Sequence, residues 1–250
     1  MKLINRFTSL ISRLANRYGY RIERIVDYSK HQLDVFEILI DQLTPSSSDF
    51  FLVQVGANDG RTGDPIYEFI ERYHWRSLLL EPQPKVFKQL VENYRNEPQL
   101  ILENVALGET DGTLTMYTVK GSSYLGSFDR DALVKRVRDS SNIVEIAVEV
   151  ATFHTLVDRH KIDHVDLLLV DTEGYDFEVI KMALQDGLPK PRLIRYEHLH
   201  LSTPDRKACV QLLASHGYQL LRDGRDTMAY RKETNSNIAK TMDLSSTNRA

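Results

Sequence analysis

The chain has 250 residues, 42% of them apolar, and a formal charge of −3. That is enough for one α/β domain with extensions, and the charge balance gives no electrostatic case for a nucleic-acid partner. The single cysteine, Cys209, excludes an intrachain disulfide framework and a Cys-based zinc site.

At the N-terminus, Leu3, Ile4, Phe7, Leu10, Ile11, Leu14, Ala15 and Tyr18 recur at helical spacing, with Lys2, Arg6, Arg13 and Arg17 between them. The spacing predicts an amphipathic basic helix over residues 1–20, and Tyr28–Leu43 reads as a second, with Leu33, Phe36, Ile40 and Leu43 on one side. No uninterrupted apolar core or cleavage site marks a secretory signal, and no stretch approaches the ~20 residues of a membrane span. The expected location is therefore the cytoplasm. Residues 1–43 would pack on the domain or on a second copy, the commoner use of such faces. The alternative is peripheral contact with the anionic inner membrane surface. Thr44-Pro45-Ser46-Ser47-Ser48 has linker composition, so the expected division is a helical extension over 1–48, a catalytic domain over 49–231 and a disordered polar tail over 232–250.

The domain opens on Phe50-Phe51-Leu52-Val53-Gln54-Val55-Gly56-Ala57-Asn58-Asp59-Gly60, an apolar strand ending in a glycine-bounded turn. Gly56 permits the sharp turn, Gly60 a close approach of backbone to a ligand, and Asn58 tolerates left-handed backbone better than most residues. A helix at 65–73 leads to a strand at 77–81 that ends in Glu81-Pro82, where a Rossmann-like fold binds ribose hydroxyls. A helix at 84–95 and a strand at 100–105 follow; the latter carries Asn104. Residues 114–119 and 143–150 alternate and read as added strands. Between them, the hydroxyl-rich stretch 121–128 is a surface loop or a wall of the ligand site.

A helix over 152–161, capped by Thr152, precedes the strand 165–170 and the loop Asp171-Thr172-Glu173-Gly174. Then come a helix at 175–185, a strand at 193–197 followed by His198-Leu199-His200, a helix at 204–216 carrying Cys209, and a terminal hairpin turned at Asp223-Gly224. Strand–helix alternation predicts a mostly parallel sheet closed by an antiparallel hairpin, with polar residues gathered on one rim.

Val53–Gly60, Leu80-Glu81-Pro82, Asn104-Val105-Ala106-Leu107-Gly108 and Asp171–Asp176 together resemble the FkbM family of S-adenosylmethionine-dependent methyltransferases. The resemblance covers roughly residues 50–231 and implies a class I methyltransferase fold, preceded here by N-terminal helices. It also implies O-methylation of a sugar, glycolipid, polysaccharide or secondary-metabolite hydroxyl. Gln54, Gly56, Asn58, Gly60, Glu81, Asn104 and Asp171 are then the candidate cofactor contacts, with Gln54 standing where an acidic residue is common. Glu81 offers two acceptor oxygens for a ribose diol, and Asn104 suits the adenine edge.

Methyl transfer also demands loss of the acceptor's proton. Asp171, Glu173, Glu197, His198 and His200 are the candidates, through a histidine base or through a carboxylate-bound divalent metal. The rival readings are a nicotinamide-dependent oxidoreductase, against which the absent middle glycine and the hairpin count, and a non-catalytic scaffold that retains the fold.

Overall fold

The computed structural model describes residues 34–43, 49–121, 125–137 and 139–231. The expected N-terminal helix, the linker 44–48, the start of the second helix and the tail lie outside these residues. The chain divides into two compact units, 1–42 and 43–250. The helix α1 (Val35–Leu43) ends at the division between them, with Phe36, Ile40 and Leu43 buried. Among the described residues no helix is long and apolar enough to cross a membrane.

The second unit is built on a seven-stranded sheet. Its strands are β1 (Phe51–Val55), β2 (Arg76–Leu80), β3 (Leu100–Glu103), β8 (Leu167–Val170), β9 (Leu193–Glu197), β10 (Gln219–Asp223) and β11 (Asp226–Tyr230). Their order is β10-β11-β9-β8-β1-β2-β3. The five strands from β9 to β3 are parallel, and the terminal hairpin inserts β11 antiparallel to β9. β1, β8 and four residues of β2 are wholly buried, as their continuous apolar runs require of strands covered on both faces. The connecting helices α2 (Tyr67–Tyr73), α3 (Pro84–Asn93), α5 (Phe153–His160), α6 (Asp176–Ala183) and α7 (Thr203–Ser215) fall within a few residues of the expected bounds. Thr152 caps α5 by accepting a bond from the Thr155 amide.

Register places the ligand rim. Val55 pairs with Leu80 and Val170, Leu80 with Glu103, and Val170 with Tyr196. The next residue on each strand is therefore Gly56, Glu81, Asn104, Asp171 or Glu197, one row across five strands. Backbone bonds extend the row, with the Asp171 amide donating to Val55 O at 3.0 Å and the Gly56 amide to Leu80 O at 3.0 Å.

One expected element is split. The stretch 100–105 forms two strands, because Asn104 interrupts it. The Asn104 Nδ2 donates to the carbonyls of Glu81 and Pro82 at 2.7 and 3.1 Å. Beyond it, β4 (Val105–Leu107) leaves the large sheet and pairs with β7 (Ile143–Ala151). With β5 (Gly112–Val119) and β6 (Gly126–Ser127) these make a second sheet of order β4-β7-β5-β6. Ala106, Met116, Val148 and Val150 form its small core. A helix absent from the sequence expectations, α4 (Arg130–Arg136), follows β6, its first turn capped by the Asp129 carboxylate on the amides of Asp131 and Ala132.

Candidate functional site

A cleft of about 900 Å³ opens at the carboxyl rim of the large sheet, between that rim and the wall made by β6 and α4. This is within the range of small-molecule sites. Gly56, Asn58, Glu81, Asp171, Glu173 and His200 line it, together with Gly126, Phe128, Tyr175 and Arg136. Gln54, Gly60, Asn104, Glu197 and His198 do not reach the wall, and the structure gives each a different setting.

The turn after β1 requires its special residues. Gly56 has φ +87°, and a Cβ there would lie 2.0 Å from the Asp171 carbonyl oxygen. The missing side chain lets the β1 and β8 loops meet at the cleft floor. Asn58 takes the left-handed conformation expected of it, φ +49°. Its Oδ1 is buried with no partner among the described residues. Gly60 has φ +69°, but the space it vacates is filled by Tyr94 and Leu90, whose side chains come within 2.3 and 2.5 Å of where a Cβ would lie. Its smallness thus serves packing of the loop on α3. Gln54 is buried, its Nε2 donating to Asp64 Oδ2 at 3.1 Å, behind the loop.

Glu81 is buried at the cleft wall. Its Oε2 accepts from the Asn58 amide at 3.0 Å and its Oε1 from the Gln83 amide at 2.8 Å. Burial nevertheless outweighs these bonds and pushes its carboxyl up to about 7. Each oxygen retains a lone pair for a further donor.

Asp171 presents accessible surface to the cleft, yet protein atoms surround it. This partial burial, with repulsion from Glu173, Glu197 and Asp226, pushes its carboxyl up to about 6 against the pull of Arg225. Asp176, fully buried, ties the loop down. Its Oδ2 accepts from Thr172 Oγ1 at 2.9 Å and the Gly174 amide at 3.2 Å, and its Oδ1 from the Glu197 amide at 3.2 Å. One carboxylate thereby joins the β8–α6 loop to the end of β9.

The two histidines part company. His200 lines the cleft, with Nε2 3.4 Å from both Glu173 Oε2 and Glu197 Oε2. His198 is buried away from the lining, its Nδ1 3.1 Å from Thr227 Oγ1, and burial together with Arg222 and Arg206 holds its ring below the usual histidine range. Glu173, Glu197 and His200 bring donor atoms within 4.8 Å of one another, a spacing open to a cation. Both carboxylates are already paired, Glu173 with Arg136 and Glu197 with Arg225 Nη2 at 2.7 Å, so we assign no ion to the set.

The family model of the Methyltransferase FkbM domain matches residues 54–220. The chain belongs to the FkbM methyltransferase family. FkbM methyltransferases use S-adenosylmethionine, and the residues here fit that cofactor on their own geometry. The glycine turn forms part of the cleft floor, Glu81 has acceptor capacity for a diol, and Asn58, whose amide donates to Glu81, carries an orphaned Oδ1. Among curated proteins none matches the chain. Solved structures that resemble it include an FkbM methyltransferase from Methylobacillus flagellatus KT, at 15% identity and TM-score 0.49, covering 76% of this chain and 45% of that one. The N-terminal domain of human METTL16 in complex with SAH is 12% identical at TM-score 0.44, covering 88% and 79%. The precorrin-6y C5,15-methyltransferase from Geobacter metallireducens GS-15 is 12% identical at TM-score 0.43, covering 84% and 94%. Likenesses this distant place no constraint on activity or acceptor.

Proposed function

We propose that this FkbM methyltransferase transfers a methyl group to a hydroxyl oxygen of a sugar, glycolipid, polysaccharide or secondary metabolite. The observation that carries the reading is the meeting, on one cleft, of a diol-type acceptor at Glu81 with proton-accepting groups at Asp171 and His200. The bound cofactor supplies an electrophilic methyl group. Gly56 and Asn58 would shape the floor under its amino-acid end and Glu81 would accept from its ribose hydroxyls, while Asn104 holds the strand junction behind them.

The protein's remaining task is to orient the acceptor oxygen in line with the methyl carbon and to take its proton. His200 is the base in this scheme, its Nε2 facing the cleft between Glu173 and Glu197. Asp171, whose carboxyl is raised to about 6, would accept a hydrogen bond from a neighbouring hydroxyl of the acceptor and so orient it. Glu81 would also suit the ribose of a nicotinamide cofactor, but membership of the FkbM methyltransferase family disfavours that alternative.

Calorimetry with S-adenosylmethionine and S-adenosylhomocysteine tests the reading. Both should bind at one site per chain, and Glu81→Ala should abolish the heat. Binding of neither by folded protein refutes it.

A further inference from the structure

We infer that Arg136 is a positioning residue for this site, reaching across the cleft from α4 to hold Glu173 and to set the charge that His200 experiences. The inference rests on the reading of His200 as base. No motif in the sequence marks Arg136; it is the last residue of a short helix that precedes the relevant loop by more than thirty positions.

The contacts are specific. Arg136 Nη1 donates to the Glu173 carbonyl at 3.0 Å, and Nη2 pairs with the Glu173 carboxylate. Nη2 also lies 3.5 Å from His200 Nε2. Glu173 has φ +58°, a conformation that costs a non-glycine residue roughly 1–2 kcal/mol and persists only when its surroundings hold it. Asp176 holds one side of that loop through Thr172 and Gly174, and Arg136 holds the other. A guanidinium gripping both the carbonyl and the carboxylate of one residue fixes backbone and side chain together, as a lysine could not.

The electrostatic consequence follows from the surroundings of His200. Facing its ring are Glu173 from the β8–α6 loop, Glu197 from the end of β9 and Arg136 from α4; Asp171 lies on the same rim, and Arg225 and Asp226 act from the terminal hairpin. Glu173 Oε2 and Glu197 Oε2 each lie 3.4 Å from His200 Nε2, so two carboxylates crowd one imidazole nitrogen. Arg136 and Arg225 each neutralise one of them. Loss of Arg136 would therefore leave one of these carboxylates unpaired beside the His200 ring.

The test uses the full chain saturated with S-adenosylhomocysteine, with the His200 ring signal followed by NMR across pH and assigned through His200→Gln. In Arg136→Gln, the midpoint should rise by about one unit, the effect of removing a unit charge at this distance even under strong screening. Arg136→Lys, which keeps the charge but not the fork, should return most of that rise. An unchanged midpoint in folded Arg136→Gln overturns the inference, as does an equal rise in Arg136→Lys. Failure of S-adenosylhomocysteine to bind the wild-type chain would instead strike the proposed function, and the titration can be compared without it.

Discussion

Replacing Glu81 by Gln removes one proton equilibrium from the cleft and leaves the side chain's shape. In the folded chain the carboxyl titrates at about 7, against an ordinary value of 4.5, because burial raises it more than the Asn58 and Gln83 amides lower it. Below pH 4.5 both states are neutral and the burial of charge costs nothing. As pH rises through 7 the folded state must carry a buried anion, and stability is lost. A gap of that size corresponds to about 3 kcal/mol, most of which develops between pH 5 and 8. The amide in Glu81→Gln has no such term. It does lose an acceptor, since two backbone amides donate to two different oxygens and a carboxamide offers one; that costs about 1–3 kcal/mol at every pH. The variant should therefore be clearly less stable than wild type at pH 5 and close to it at pH 8, the difference closing by about 2–3 kcal/mol. Urea unfolding of both proteins without cofactor, at half-unit pH intervals, measures this directly. A difference that stays constant over the range refutes the account of a charge held buried at Glu81. With S-adenosylhomocysteine present, the same variant should bind at least about tenfold more weakly, because charge-assisted bonds to the ribose are lost.

Three other outcomes are expected. Once an acceptor is known, His200→Ala and Asp171→Asn should each slow single-turnover methyl transfer by about 10²-fold or more while S-adenosylhomocysteine affinity changes little; near-normal transfer in both would remove the proposed base and its partner. Gly60→Ala should destabilise the fold by about 1–3 kcal/mol in thermal or urea unfolding, since its methyl would enter the space of Tyr94 and Leu90, while folded variant still binds S-adenosylhomocysteine; unchanged stability would contradict the packing role. Chelators should leave methyl transfer intact, because Arg136 and Arg225 occupy the carboxylates a divalent ion would need; activity lost to a chelator and restored by magnesium would overturn that assignment.

Most of the sheet is legible in the sequence because buried parallel strands announce themselves as short apolar runs with a polar residue at the end. Val55, Leu80, Val170 and Tyr196 share one register, so the residues that follow them must share one rim. What periodicity cannot show is that 100–105 serves two sheets. That division depends on Asn104 bonding to carbonyls 22 and 23 residues earlier in the chain, a contact with no local signature. The helix α4 escapes sequence reading for a related reason. Its cap, Asp129, is a standard signal, but seven residues with one fully buried position, Leu133, leave too little apolar periodicity to read.

The same limit divides the candidate site. Strand-end residues can be found because position along a strand implies position on the rim; side-chain direction is not implied, and it decides function. His198 and His200 differ by two positions, yet one turns toward Thr227 inside the fold and the other toward the cleft. Alternation along an extended strand would have kept them on one face, but the chain leaves β9 at Glu197, and the intervening turn breaks that rule. Glu197, in turn, contributes to the rim through His200 and not by lining it. The wall opposite belongs to a second sheet whose place over the rim follows from the diversion at Asn104. The β6–α4 side of the cleft, the acceptor side in the proposed function, is therefore set by long-range topology, whereas the opposite rim is set by strand-end residues that can be read one by one.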